Sequence, residues 1–185
     1  MNHHAAIKMN VDQFLAWCST QSEGHFELID GEVVPMSPER SVHNLTKYYV
    51  VRALADAIHA ANVDCTAYTD GMGVRIDDDN HIEPDASVQL GSPMDRDVQT
   101  LTAPVIVVEV LSPSSAKNDA SVKLIAYLSV KSIAHYLIVD ADKETVVHHR
   151  RLTSDQCETM IVTHGMIYLS PPGIEVPIQA FFGKQ

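Results

Sequence analysis

The chain has little cysteine, little positive charge and no long apolar run. Its three cysteines, Cys18, Cys65 and Cys157, are far apart and form no CxxC pair, which argues against a disulfide framework and against a zinc site. We expect them to be small buried thiols. No apolar stretch approaches the ~20 residues that a membrane helix needs. We therefore expect no membrane association.

The first ten residues, MNHHAAIKMN, contain no long apolar segment that could act as a secretory signal. We therefore expect a cytoplasmic protein. With 185 residues, of which 45% are hydrophobic, the chain fits a single domain over residues 1–185 with one core.

Positive charge is scarce: the chain has 13 Lys and Arg but 24 Asp and Glu, which gives a formal net charge of -11. Phosphate binding depends on Lys and Arg, so this balance argues against a protein that coats nucleic acid nonspecifically. The sequence also contains neither GxGxxG nor GxxxxGK[ST], the usual nucleotide-binding motifs. A basic cluster follows residue 111 and permits local phosphate contact without establishing it. Its members are Lys117, Lys123, Lys131, Lys143, Arg150 and Arg151.

Hydrophobic periodicity predicts three helices. The first, Val11 to Cys18, begins after the capping residue Asn10. The second spans residues 39–62, and its apolar face is predicted from Val42, Leu45, Tyr49, Ala53 and Ala57. The third spans residues 115–130, with Val122, Ile125, Ala126 and Ser129 facing a sheet.

Short extended segments alternate with turn signals and predict strands. Asp30-Gly31 predicts a hairpin turn, residues 140–143 predict another, and His164-Gly165 is predicted to pair the two segments around it. Together with the helices, this order predicts an α/β or α+β fold around one mixed sheet. The strands are predicted at residues 25–30, 32–36, 64–69, 73–76, 84–90, 104–111, 134–139, 145–149, 158–163 and 166–169.

One carboxylate, Glu109, interrupts the apolar strand APVIVVEVL. An unpaired carboxylate in an apolar interior costs several kcal/mol, so Glu109 should be protonated, paired with a cation or bound to a metal. Pro84 begins another apolar strand, and a proline is tolerated at a first strand position because no backbone N–H is needed there for the sheet. Asp85 is therefore predicted to lie at a sheet end. Asp85, Glu109 and a lysine from the following helix can therefore converge there.

Two carboxylates suit magnesium, which binds oxygen ligands together with waters and substrate phosphate. Asp85 and Glu109 are the predicted ligands, and the carbonyl of Val110 is a further candidate. A nucleic acid phosphodiester would complete the shell. Lys123 would then orient the attacking water or stabilise the charge of the transition state.

Each candidate also has an ordinary structural explanation. Asp119 and Lys123 are spaced i,i+4 with the acid first, as in a common helix-surface ion pair. Asp85 could simply be a turn residue, and His43 on the long helix is more often a core or boundary histidine. His148 and His149 are adjacent on a strand and point to opposite faces, so they should not chelate one ion.

Several motifs in order resemble the Uma family of restriction-endonuclease-like proteins, which belongs to the PD-(D/E)XK nuclease superfamily. They are FELIDGEVVPMSP, His43, DGMGVRI, EPDASVQ, APVIVVEVLSPSSAKNDASVKLIAYL and AHYLIVDADKETV. The resemblance extends from Val11 to about Phe182. It implies a restriction-endonuclease-like mixed β-sheet core flanked by helices, with a divalent-metal phosphodiesterase site.

By this resemblance, Pro84-Asp85 matches the PD element and Glu109 matches the (D/E) element. Leu111 stands where the superfamily lysine is expected, and Lys123 on the next helix supplies it. The resemblance adds three accessory residues, Glu27, His43 and Tyr127.

Two functions follow as hypotheses. The first is a Mg²⁺- or Mn²⁺-dependent endonuclease that hydrolyses DNA, with Asp85, Glu109 and Lys123 as its catalytic set. The second is a catalytically inactive nuclease-fold module, for example a homodimer, that binds DNA or a protein partner. The Asp-Glu-Lys set favours the first hypothesis, and the acidic charge balance favours the second.

Overall fold

The computed structural model describes residues 8–111 and 120–184, which form three α-helices, twelve β-strands and one 3-10 helix. The helices are α1 (Val11–Cys18), α2 (Ser41–Ala61) and α3 (Ala120–Ser129), and the 3-10 helix is Ile178–Phe182. The strands are β1 (Phe26–Ile29), β2 (Glu32–Pro35), β3 (Cys65–Thr69), β4 (Val74–Arg75), β5 (His81–Ile82), β6 (Ala86–Leu90), β7 (Pro104–Val110), β8 (His135–Asp140), β9 (Thr145–Arg151), β10 (Cys157–Val162), β11 (Met166–Leu169) and β12 (Ile174–Pro177).

The centre of the fold is a six-stranded sheet in the order β10-β9-β8-β7-β6-β3. Only β7 and β8 pair in parallel, and their connection contains α3. The other neighbours are antiparallel. The sheet is therefore mixed, and with the flanking helices it gives the α+β fold that the sequence predicts.

Apolar cores lie on both faces of this sheet. On one face, α2, the β11-β12 hairpin and the 3-10 helix share a core with residues such as Val108 and Leu137. On the other face, α3 and the short strands β4 and β5 pack over Val107 and Tyr136. Because side chains alternate along β7, Glu109 shares a face with Val107 and lies on the α3 side.

A second sheet, in the order β2-β1-β5-β4, carries Glu27 toward this region. Its β1-β2 hairpin turns at Asp30 and Gly31, which both have positive φ, +50° and +78°. A two-residue turn of this kind requires the left-handed region at both positions, which Asp-Gly tolerates well. The hairpin signal in the sequence is thus confirmed.

The predicted start of α1 is also confirmed. The Asn10 side chain accepts a hydrogen bond from the Gln13 backbone, and the Gln13 side chain accepts one from the Asn10 backbone, both within 3.0 Å. These two bonds form a capping box, which satisfies amides that the first helical turn leaves free. The helix spans Val11–Cys18, as the periodicity indicates.

The predicted pairing across His164-Gly165 is wrong. Strand β10 pairs with β9, whereas β11 pairs with the unpredicted strand β12. The short strand β5 was also not predicted. These pairings depend on partners distant in the chain or on later turns, which a local turn signal does not contain.

The predicted apolar faces of α2 and α3 are partly wrong. Val42 and Leu45 on α2 are exposed, and the buried face runs through Lys47, Val50 and Leu54. On α3, Val122 and Ile125 are 62% and 73% exposed, while Tyr127 is fully buried. Residues 115–119 of the predicted third helix lie outside the described residues.

The cysteines are free thiols, as expected, but they are not buried. Cys18 and Cys65 are half-buried, and Cys157 is exposed at the start of the edge strand β10. Among the residues described, none of the helices combines the length and apolar character that crossing a bilayer requires.

Candidate active site

Strands β6 and β7 bring Asp85 beside Glu109. Asp85 immediately precedes β6, whose first residue, Ala86, pairs with Val108 of the antiparallel β7. The Val110 backbone amide donates a 2.7 Å hydrogen bond to Asp85 Oδ2. This bond locks the carboxylate against the strand end that carries Glu109.

Glu109 is held by two side chains from α3. Lys123 Nζ lies 3.2 Å from Glu109 Oε1, and the Tyr127 hydroxyl donates a 2.7 Å hydrogen bond to the same oxygen. Lys123 also lies 3.4 Å from Glu27 Oε1. We call Glu27, Glu109, Lys123 and Tyr127 the Glu109 group. One helical turn separates Lys123 from Tyr127, so a single face of α3 presents both.

Glu27 reaches the site from the second sheet. Its Oε1 also accepts a 3.2 Å hydrogen bond from the Glu83 backbone amide, in the segment that leads to Asp85. Glu27 therefore links β1, the β5-β6 connection and Lys123. This position agrees with the accessory residue that the resemblance implies.

The environment of Glu109 opposes its ionisation. Burial is the largest cause and raises the pKa of the carboxyl. The negative charges of Asp85 and Glu27 raise it further, whereas Lys123 and Tyr127 oppose the rise. The resulting pKa of Glu109 is about 8. Burial, followed by the adjacent Glu109, also raises the pKa of the Tyr127 hydroxyl well above its ordinary value. Glu109 is thus a carboxyl whose charge its neighbours only partly compensate.

His43 joins α2 to the same strand end. Its Nε2 lies 2.8 Å from the Val110 carbonyl oxygen and 3.5 Å from Asp85 Oδ2. Because a carbonyl can only accept, Nε2 must carry a proton in this arrangement. The Val110 carbonyl therefore already has one hydrogen bond, and its second lone pair is the one that could bind a metal.

Three charged residues of this region were not identified from the sequence: Glu39, Lys47 and Asp70. Lys47 Nζ contacts Glu39 Oε1 at 2.5 Å, Asp70 Oδ2 at 2.6 Å and Asp85 Oδ1 at 3.1 Å. We call Glu39, Lys47, Asp70 and Asp85 the Lys47 group. Asp85 is thus shared between the Lys47 group on the α2 side and the neighbourhood of Glu109.

These contacts shift the pKa values of the Lys47 group. Burial would lower the pKa of Lys47, but the carboxylates of Asp85, Asp70 and Glu39 outweigh it and raise the pKa above its ordinary value. Burial likewise tends to raise the pKa of Glu39 and of Asp70, and the hydrogen bonds from Lys47 reverse this and lower both. One signal was present in the sequence, because Glu39, His43 and Lys47 follow each other at intervals of four residues.

The structure brings together all the predicted site residues. Asp85, Glu109 and the Val110 carbonyl meet at one strand end, Lys123 and Tyr127 contact Glu109, and His43 contacts Asp85. Asp119, the alternative partner of Lys123, lies outside the described residues, as do Ser112–Ser115. The adjacent His148 and His149 have different partners, His135 and Thr159, as expected for neighbours on a strand.

The residues present fit a divalent cation of the magnesium type. Such ions take carboxylate and carbonyl oxygens, and the strand end offers Asp85, Glu109 and Val110. Both hydrogen bonds to Glu109 are made to Oε1, which leaves Oε2 as the candidate ligand. The raised pKa of Glu109 also indicates a cluster in which an added positive charge would be stabilising.

A second group of potential ligands lies on the other side of Asp85. Glu39, His43 and Asp85 each offer one ligand atom, and these atoms all lie within 4.8 Å of one another. Lys47 already contacts two of these three residues.

Comparison with known proteins gives one family and two similar proteins of Synechocystis sp. The family model described as "Uma2: Putative restriction endonuclease" matches residues 11–179. The uncharacterized protein slr1290 is 28% identical over 151 residues, which cover 80% of this chain and 77% of that protein. The uncharacterized protein sll1609 is 25% identical over 133 residues, which cover 70% of this chain and 74% of that protein.

A solved structure has the same fold. The crystal structure of "a putative nuclease belonging to DUF820" from Anabaena variabilis superposes with a TM-score of 0.73, over 95% of this chain and 98% of that one. The sequence identity is 17%, so this similarity concerns the fold alone.

Proposed function

This chain belongs to the Uma2 family, described as "Putative restriction endonuclease", and we propose that it is a single-domain, divalent-metal-dependent endonuclease. It would hydrolyse DNA phosphodiester bonds in the cytoplasm. One observation carries the proposal. Asp85, Glu109 and Lys123, which come from three separate elements, converge at one end of β7. Carboxylates can hold the ion of metal-assisted phosphodiester hydrolysis, and a neighbouring lysine can stabilise the charge of the transition state.

Asp85, Glu109 and the Val110 carbonyl would hold Mg²⁺ or Mn²⁺. When bound, the ion would polarise the phosphodiester and lower the pKa of a water molecule. Among the residues that the structure describes, Lys123 is the cation paired with Glu109, at 3.2 Å from Oε1. It would orient the attacking water and stabilise the negative charge that develops on the phosphate oxygens.

The remaining members of the Glu109 group position these residues. Tyr127 donates a hydrogen bond to one oxygen of Glu109, and Glu27, which comes from β1, contacts Lys123 Nζ. His43 holds the Val110 carbonyl and approaches Asp85. Because the pKa of Glu109 is about 8, its carboxyl must release a proton to act as a ligand, so metal binding should strengthen as the pH rises.

The test is a cleavage assay on supercoiled DNA, single-stranded DNA and RNA, with Mg²⁺, Mn²⁺, Ca²⁺ or EDTA. We expect nicking of DNA by the wild type in Mg²⁺ or Mn²⁺ and none in EDTA. The Glu109→Ala variant should be inactive in every metal. Cleavage that persists in EDTA or in Glu109→Ala would contradict the proposal.

One observation favours the alternative, a noncatalytic module of the same fold that binds DNA or a protein partner. The net charge of -11 disfavours broad contact with a polyanion. Such a module would use the Lys123–Glu109 pair only to stabilise the fold. Binding of DNA without cleavage in any metal, or a stable homodimer without DNA binding, would support this alternative.

A further inference from the structure

Lys47 is a buried ammonium group inside a cluster of carboxylates. Its side chain is only 2% exposed, and Nζ lies within 3.1 Å of one oxygen each from Glu39, Asp70 and Asp85. A lysine is almost never fully buried unless it is paired, and here three partners surround a single charge. The ammonium of Lys47 thus has a coordination environment made of carboxylate oxygens.

The same place could hold a metal ion if Lys47 were absent. Ligand atoms of Glu39, His43 and Asp85 lie within 4.8 Å of one another. His43 Nδ1 is buried and lies 3.3 Å from Glu39 Oε2, so the imidazole and this carboxylate point toward the same place. One imidazole nitrogen and two carboxylates are ligand types that bind Mn²⁺.

Two members of the cluster also border a cleft at the surface. A cleft of about 630 Å³ beside it is lined by Glu39 and Asp70, together with Glu83 and His25. Two of the three carboxylates that contact Lys47 therefore border this cleft.

We propose that Lys47 is the resident cation of a second position in the site, where it orients Asp85 and excludes a second divalent ion. This inference rests on the proposed function, in which Asp85 and Glu109 share one ion. An ammonium carries one charge and cannot leave, so it partly compensates the three carboxylates at every metal concentration. The site would accordingly operate with a single divalent ion next to Glu109.

The experiment counts Mn²⁺ ions per chain by calorimetry and by electron paramagnetic resonance of free Mn²⁺. The wild-type count tests the proposed function, and the difference between Lys47→Met and the wild type tests the inference. We expect one ion in the wild type and one more in Lys47→Met. Lys143→Met is the matched control, because Lys143 Nζ also lies 3.1 Å from a carboxylate oxygen, of Asp140, but is 80% exposed. It should bind as many ions as the wild type.

Two further variants make the result specific. Adding Glu39→Gln to Lys47→Met should remove the extra ion and leave the wild-type count. If Lys47→Met does not fold, Lys47→Met with Asp70→Asn leaves fewer uncompensated carboxylates and retains Glu39, His43 and Asp85, so it should show the same gain.

The inference is overturned if folded Lys47→Met variants gain no ion, if the gain survives Glu39→Gln, or if the wild type already binds an ion that Glu39→Gln removes. A wild type that binds no Mn²⁺, with one ion gained in Lys47→Met, would support the resident cation and contradict the shared ion of Asp85 and Glu109. No ion in either protein would contradict both.

Discussion

Replacing Glu109 with glutamine should stabilise the metal-free protein at alkaline pH. The side chain is 15% exposed, and its pKa rises from the ordinary 4.5 to about 8 because of burial and the nearby Asp85 and Glu27. Glutamine has nearly the same shape and keeps an oxygen that can accept from Tyr127. It cannot acquire the charge that this environment opposes.

The sign and size follow from the linkage between protonation and folding. Below pH 4.5 the carboxyl is protonated in both the folded and the unfolded chain, and the full stability is present. Between pH 4.5 and about 8 only the unfolded chain releases the proton, so wild-type stability falls by about 1.4 kcal/mol per pH unit. The upper limit of the loss is roughly 5 kcal/mol, and solvent screening makes about 1–4 kcal/mol the expected range.

Urea unfolding in EDTA at pH 4.5, 7 and 9 measures this effect. The free energy of unfolding of Glu109→Gln should equal that of the wild type at pH 4.5 and exceed it increasingly at pH 7 and 9. Titrating groups that do not interact with Glu109 are common to both proteins and cancel in the difference. A difference that does not change with pH, or a variant less stable than the wild type at pH 9, would refute the reasoning.

Three further predictions concern other residues. Lys47→Met should lower the free energy of unfolding by about 3–5 kcal/mol, because it leaves the buried carboxylate of Asp85 without its cation. Lys143→Met should change it by less than about 1 kcal/mol, and urea titrations of the two variants measure the difference. Lys123→Met should slow DNA cleavage roughly 10²-fold or more, and adding Leu111→Lys should recover part of the rate in the same assay. Burial lowers the pKa of His148 from 6.5 to about 4, so stability is complete above pH 6.5 and is lost toward pH 4. Between these pH values, His148→Gln should reduce the slope of the free energy of unfolding against pH by about 1.4 kcal/mol per pH unit. An unchanged slope in urea titrations would contradict this prediction.

The sequence predicts the parts of the fold that depend on local chemistry. Asn10 and Gln13 mark the start of α1, and Asp30-Gly31 marks the β1-β2 turn, because caps and tight turns involve neighbouring residues. The partner of β11 could not be predicted, since its pairing with β12 depends on competition between whole strands.

The same distinction applies to the candidate site. Glu109 is conspicuous because a charge interrupts an apolar strand, and the structure gives it Lys123 and Tyr127 as partners. Lys47 was missed because a lysine on a helix is ordinarily solvated. Its burial depends on Asp70 and Asp85, which are distant in sequence, so the four-residue spacing of Glu39, His43 and Lys47 was the local indication.

The central claim is that Glu109 takes part in metal-dependent DNA cleavage, and single-turnover nicking of supercoiled DNA in Mn²⁺ tests it most directly. The comparison of wild type with Glu109→Gln is decisive because the variant should be folded and at least as stable. We predict Mn²⁺-dependent nicking by the wild type and a rate lower by roughly 10²-fold or more in the variant. Equal rates in the two proteins, or no nicking by the wild type in Mn²⁺ or Mg²⁺, would contradict the account.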